Sequence, residues 1–172
     1  MGRETRAASS SNIAVRSSIL AIDYGRSRIG LAIADSEAAL PRPLETLERI
    51  NRNEDMRRLR EIAREHGVKQ VVVGLPLRLD GSRGEMADEA VRFAMRVSKQ
   101  LGLPVELIDE RLTSWEAERL LEEHSGRPLR ESRRGFKKRK EGGVTVDAVA
   151  AAVILKEYLD RPEASKRRSE NI

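Results

Sequence analysis

An α/β fold, built on a mixed five-stranded sheet with helices on its faces, is what three features of the sequence predict. Four short apolar runs, at residues 19–22, 29–33, 71–73 and 105–108, and one alternating stretch, at 44–50, have strand length. In chain order the first three follow one another with no room for a crossover helix, so they form an antiparallel meander, whereas the later two alternate with segments of helical period and suit parallel strands. Only five aromatic residues (Tyr24, Phe93, Trp115, Phe136 and Tyr158) occur in 172, so the core must come from Val, Ile, Leu and Ala, as in helices packed on a sheet. That length suits one domain, expected over residues 19–160.

Residues 1–18 are rich in Ser, Ala and Arg without apolar period, and read as a mobile tail. Glu4 argues against a transit peptide and Arg6 against a myristoylation motif. The stretch ILAIDYGRSRIGLAIAD then holds two apolar runs around a glycine turn, a hairpin that carries Asp23 at the end of its first strand. Pro41 and Pro43 mark a break before LETLERI, whose alternation predicts the third strand. Over residues 53–66 the period changes: Met56, Leu59, Ile62 and Ala63 share a helical face, Asn53 is placed to cap it and Gly67 to stop it.

Val71, Val72 and Val73 are continuously apolar, the mark of a central strand buried on both faces. The loop expected over residues 74–84 leads into a second helix with Ala87, Ala90, Val91, Ala94 and Leu101 on one side, ended by Gly102 and Pro104. The fifth strand delivers Asp109 and Glu110 at its carboxyl end. Thr113 and Glu116 have capping-box spacing, which predicts a third helix running to about His124. A further helix begins near Thr145, apolar on every side over residues 148–155, with Asp147 in its first turn; residues 161–172 are a basic tail.

The net charge of +5 is distributed unevenly: residues 127–140 hold eight basic residues and one acid, each end carries +2, and the rest of the body is acidic. A basic segment on an acidic body suggests a polyanionic partner, although a solvated charge run has the same composition. With no cysteine there is neither a disulfide framework nor a thiolate metal site, and no apolar run reaches the roughly 20 residues that span a bilayer. A cytoplasmic protein with no membrane partner is the expectation. No nucleophilic triad is credible, because neither histidine lies in a segment with a suitable serine and both read as helix-end residues.

Three acids stand where an element meets its loop: Asp23, Glu110 and Asp147. Sites in α/β sheets gather beyond the carboxyl ends of parallel strands, so Asp23 and Glu110 can meet if their strands are neighbours, and Asp147 can close the set. Carboxylates held so close repel one another unless cations intervene, and hard oxygen donors suit Mg²⁺ or Mn²⁺, two of which can drive hydrolytic phosphoryl transfer. Spacing leaves the alternative open that these are three structural acids, Asp23 paired with Arg26 or Arg28, Glu110 with Arg111, and Asp147 at its helix N-terminus. Gly25 and Gly30 suit either a tight turn or close approach to phosphate, and the turn at Asp80, Gly81 and Ser82 either a phosphate cradle or a simple loop.

The segments AIDYGRSRIGLAIAD, VVVGLPLRLDGSRGEMA, ELIDERLTSWEAERLL and VDAVAAAVIL resemble, in this order, the four blocks of the YqgF family, also called RuvX, whose members are described as pre-16S rRNA nucleases or Holliday junction resolvases. The resemblance covers the whole body. It implies a ribonuclease H-like fold and a metal-dependent nuclease site on Asp23, Glu110 and Asp147. The segment EGGVT before the last aspartate is longer than the family pattern leads one to expect. Arg28 and Arg111 are candidates for substrate phosphate, because arginine forks match oxyanions, and Lys137, Lys138, Arg139 and Lys140 for the nucleic-acid backbone, beside Phe136 as a stacking platform. The expected substrate is a 16S rRNA precursor, with four-way DNA as the alternative; a homodimer stays open. The rivals are a non-catalytic RNA-binding module and a phosphate-handling relative of the sugar kinases, for which the chain is short.

Overall fold

The computed structural model describes residues 17–35, 40–110 and 144–161. Five strands, β1 (Ser18–Tyr24), β2 (Arg28–Asp35), β3 (Arg42–Glu48), β4 (Val68–Leu75) and β5 (Val105–Asp109), form one sheet in the order β3-β2-β1-β4-β5. The first three run antiparallel to one another, and β4 lies parallel to both β1 and β5. The predicted meander and the central, doubly buried valine strand are both present.

Side chains alternate across each strand, and the two faces of this sheet differ in size. Leu20, Ile22, Ile29, Leu31, Ile33, Val71 and Val73 point to the side covered by α1 (Arg52–Glu65) and α2 (Glu85–Leu101), where they meet Met56, Leu59, Phe93 and Val97. Burying side chains of this size stabilises by about 1.5–3 kcal/mol each, so this layer holds most of the core energy. The opposite face carries Ala21, Ala32, Ala34 and Val72, packed by Ala151, Ala152, Ile154 and Leu155 of α3 (Val146–Asp160). Small residues on both surfaces let α3 lie close to the sheet.

The structure corrects three local expectations and decides one condition. β3 starts at Arg42 and includes Pro43, which an edge strand tolerates because one of its N–H rows is unpaired; the pairing with β2 shifts register beside it. The cap of α1 is Asn51 rather than Asn53, its side chain accepting from the N–H groups of Asn53 and Glu54 at 3.1 and 3.0 Å. Gly74, placed by sequence at the start of a loop, lies inside β4. Finally, β1 and β5 are not neighbours, since β4 separates them. The helix expected to start at Thr113, Trp115 and the basic segment lie outside the described residues, as do residues 1–16 and 162–172 of the tails, while Ser18, read as the last tail residue, is buried and opens β1.

Candidate active site

Strand alternation puts the acids on the α3 side. On β1, Asp23 follows Ala21 at the interval of two that keeps a side chain on one face, and it is paired with Gly30 of β2. On β5, Glu106 and Ile108 share that face and Glu110 continues it. Asp23 and Glu110 therefore approach each other over β4, not along a shared strand edge, and they do so where β4 has no side chain. A Cβ at Gly74 would overlap the Glu110 carboxylate and press on Ile154, so glycine is what admits that carboxylate.

Asp147 comes from the opposite layer. Thr145 caps α3, its hydroxyl accepting from the Ala148 N–H at 3.2 Å while sharing a hydrogen bond with the Thr46 hydroxyl of β3. Directly beneath, a Cβ at Gly30 would run into the Asp147 carbonyl. The first turn of α3 thus rests on bare backbone, which brings its aspartate down to the sheet.

The electrostatics link the acids in sequence, Asp147 to Asp23 and Asp23 to Glu110. Asp23 is pushed up to about 6, first by burial and then by the negative charge of Asp147. Glu110 is pushed up to about 7, again by burial first, then by Asp23 and Asp109. Asp23 is the middle member, feeling one acid and felt by the other. Among the described residues no three acidic or imidazole groups are drawn tightly enough to hold a metal as they stand, and Asp147 is turned to Arg28, whose Nε lies 2.9 Å from Oδ2. The donor set nevertheless fits a hard divalent ion: all are carboxylates, two are held back from ionising by burial and like charge, and a cation would relieve both penalties.

The other candidates divide. Arg28 stands at the site, and Arg26 instead binds Glu85 and Glu89 of α2, at 3.0 and 2.7 Å. Arg111, Lys137, Lys138, Arg139, Lys140 and Phe136 lie outside the described residues. Gly30 serves the approach of α3, and the turn at Asp80 closes on itself, Asp80 accepting from the Ser82 N–H at 2.9 Å. His66 is a helix-end residue, its N–H bonded to the Ile62 carbonyl. Sequence reasoning missed the support behind Asp23: Arg49 donates to the Tyr24 hydroxyl at 3.0 Å and to Asp55 at 2.9 Å, and the Tyr24 hydroxyl donates to Glu89 at 3.3 Å. It also missed Gly74, although a glycine closing a run of three valines is a visible signal for close approach.

Comparison with known proteins places the chain in a family. A protein from Anaeromyxobacter sp. (strain K), named "Putative pre-16S rRNA nuclease", is 46% identical over 142 residues, covering 83% of this chain and 96% of the relative. One of the same name from Chloroflexus aurantiacus is 40% identical over 157 residues, covering 90% and 94%. The solved structure of Thermus thermophilus RuvC is similar with a TM-score of 0.50 at 14% identity, covering 90% of this chain and 99% of that one, and the likeness shows a ribonuclease H-like fold. A family model described as "RuvX: Holliday junction resolvase" matches residues 17–161, so the chain belongs to the RuvX family.

Proposed function

We propose that this chain is a divalent-metal-dependent endonuclease that hydrolyses phosphodiester bonds in structured nucleic acid, with a 16S rRNA precursor as its substrate. The observation that carries the reading is the meeting of Asp23, Glu110 and Asp147 from three separate elements, with Asp23 and Glu110 both held above the ordinary carboxylate range. An Asp23 neutralised by an arginine would be held in the opposite direction. The names of relatives at 40–46% identity favour the ribosomal substrate.

Asp23, Glu110 and Asp147 would hold the metal, Mg²⁺ or Mn²⁺ and two ions with substrate bound. When bound, it supplies an activated water and stabilises the leaving oxygen. The chain contributes the rest. Gly74 seats the Glu110 carboxylate, Gly30 and the Thr145 cap hold Asp147 down, and Arg28 offers its guanidinium to a substrate phosphate beside the acids. Arg111, Lys137, Lys138, Arg139 and Lys140 are the proposed further contacts to substrate phosphate. No helix among the described residues is long and apolar enough to cross a membrane, and the proposed place of action is the cytoplasm.

The family description favours a second reading, cleavage of four-way DNA. An end-labelled 16S rRNA precursor fragment and a four-way DNA junction, incubated side by side with and without Mn²⁺, separate the two. Metal-dependent cutting of the RNA supports the first reading, cutting of the junction alone replaces it with the second, and binding without cutting of either removes the catalytic assignment.

A further inference from the structure

The helix layer on the other side of the sheet carries a feature that hydrolysis does not use. A groove of about 590 Å³ lies between α1 and α2, and its rim is formed by Arg52, Arg60, Arg96 and Lys99, with Met56 and Met95 between them. No acid lines it. A second hollow of about 370 Å³ shares Arg60 with the first and extends it past Arg64 to Lys69. The sequence builds this track on one helix face: Arg52, Met56, Arg60 and Arg64 recur at intervals of four, the spacing that stacks side chains along a helix.

The charges are segregated, not merely numerous. On α1, Glu54 and Glu61 are both taken by Arg57, and on α2, Glu85 and Glu89 are taken by Arg26. Arg52, Arg64, Lys69, Arg96 and Lys99 make no ion pair with an acid among the described residues. Six cations thus line two adjoining hollows on a protein whose body, outside residues 127–140, is acidic by composition. Met95 is 51% exposed on the rim, an apolar contact for sugar or base.

Length argues for an extended ligand. Arg52 to Arg64 spans about 18 Å of helix axis at 1.5 Å per residue, the rise of about five nucleotides of a strand at 3.4 Å each. A single phosphate would leave most of the track unfilled. The second hollow opens beside Val68, where β4 begins, whereas the acids gather at the end where β4 finishes. Eight strand residues separate those ends by roughly 23 Å.

We propose that this groove is a second nucleic-acid site, binding the phosphate backbone of a duplex arm remote from the scissile bond. It adds to the nuclease reading a two-point grip: one part of a structured substrate on the α1–α2 track, another at the acids. The interaction reads charge and spacing, so it positions the substrate without selecting its sequence.

The test is binding of a fluorescent hairpin RNA by anisotropy across a KCl series in the presence of EDTA, where cleavage plays no part. Arg96→Gln/Lys99→Gln should weaken binding several-fold and reduce the slope of log affinity against log salt by about 2 units, close to one per charge removed. Arg96→Lys/Lys99→Arg should restore both, and thermal unfolding should stay near wild type because these cations hold no partner acid. An unchanged affinity and slope in the double glutamine variant would overturn the proposal, as would a loss that the charge-preserving variant fails to rescue. Because no metal is present, failure of the nuclease reading would leave this result standing.

Discussion

Arg28 Nε lies 2.9 Å from Asp147 Oδ2, so the arginine that opens β2 is the counter-ion of the acid that opens α3. Both belong to the proposed site, and the ion pair competes with what each would do there. Asp147 cannot offer the same oxygen to a metal, and Arg28 cannot offer the same N–H to a phosphate, while they hold each other.

Removing the arginine should therefore act in opposite directions on two ligands. Half-exposed pairs of this kind contribute about 0.2–1 kcal/mol, so Arg28→Gln should tighten Mn²⁺ binding about two- to fivefold and leave the fold nearly unaffected. Affinity for RNA should fall. Titration calorimetry with Mn²⁺ and anisotropy with RNA read the two effects separately; weaker binding of both would mean that Arg28 merely supports the structure.

Glycine at two positions is a steric requirement. Gly74→Ala should displace the Glu110 carboxylate and press only on the flexible end of Ile154, so metal binding and cleavage should drop more than stability does. Gly30→Ala meets the backbone of α3 instead and should destabilise by about 1–3 kcal/mol, as overpacking does. Calorimetric unfolding beside Mn²⁺ titration would show the contrast, and equal stability losses in the two variants would contradict it.

The raised acids give the metal-free protein a pH dependence of definite sign. Asp23 and Glu110 keep their protons to about 6 and about 7 in the folded state, whereas unfolded carboxyls ionise near 4. Between those values the folded state binds more protons, so stability is complete below about pH 4 and is lost as pH rises through about 6 to 7. The melting temperature in EDTA should fall between about pH 4 and pH 7, and Asp23→Asn should flatten that fall. At about 1.4 kcal/mol per unit the Asp23 share is a few kcal/mol at most, offset in part by relaxation. A melting temperature that climbs over the same range would contradict the assignment.

How much of this was legible beforehand follows from which forces act locally. Asp23, Glu110 and Asp147 could be singled out because each sits at a change of period, and periodicity is a local signal. The approach of Asp23 and Glu110 over β4 was not legible, because strand order is set by long-range packing; the sequence allowed them to meet if their strands were neighbours, and β4 stands between those strands. Gly74 was misplaced into a loop for the same reason, since its role depends on a side chain arriving from β5. Pro43 misled through a rule that holds for central strands and relaxes at an edge.

The support behind Asp23 has its own energetic signature. Asp55 is 3% exposed and holds Arg49, which also lies 5.0 Å from the Tyr24 ring centroid. Removing one partner of a buried pair strands the other, so Asp55→Ala should destabilise by about 3 kcal/mol, measured by urea unfolding. A change below about 1 kcal/mol would place this pair with the surface salt bridges.

The most direct measurement is Mn²⁺ titration of the wild-type chain against Asp23→Asn, Glu110→Gln and Asp147→Asn, with cleavage of the RNA precursor followed in the same samples. The expected result is saturable Mn²⁺ binding in the wild type, lost or weakened at least tenfold in each variant, with cutting abolished in step. Wild-type chain that ignores Mn²⁺, or variants that bind metal and cut RNA as well as it does, would mean that the three acids are structural and that the nuclease site has been wrongly placed.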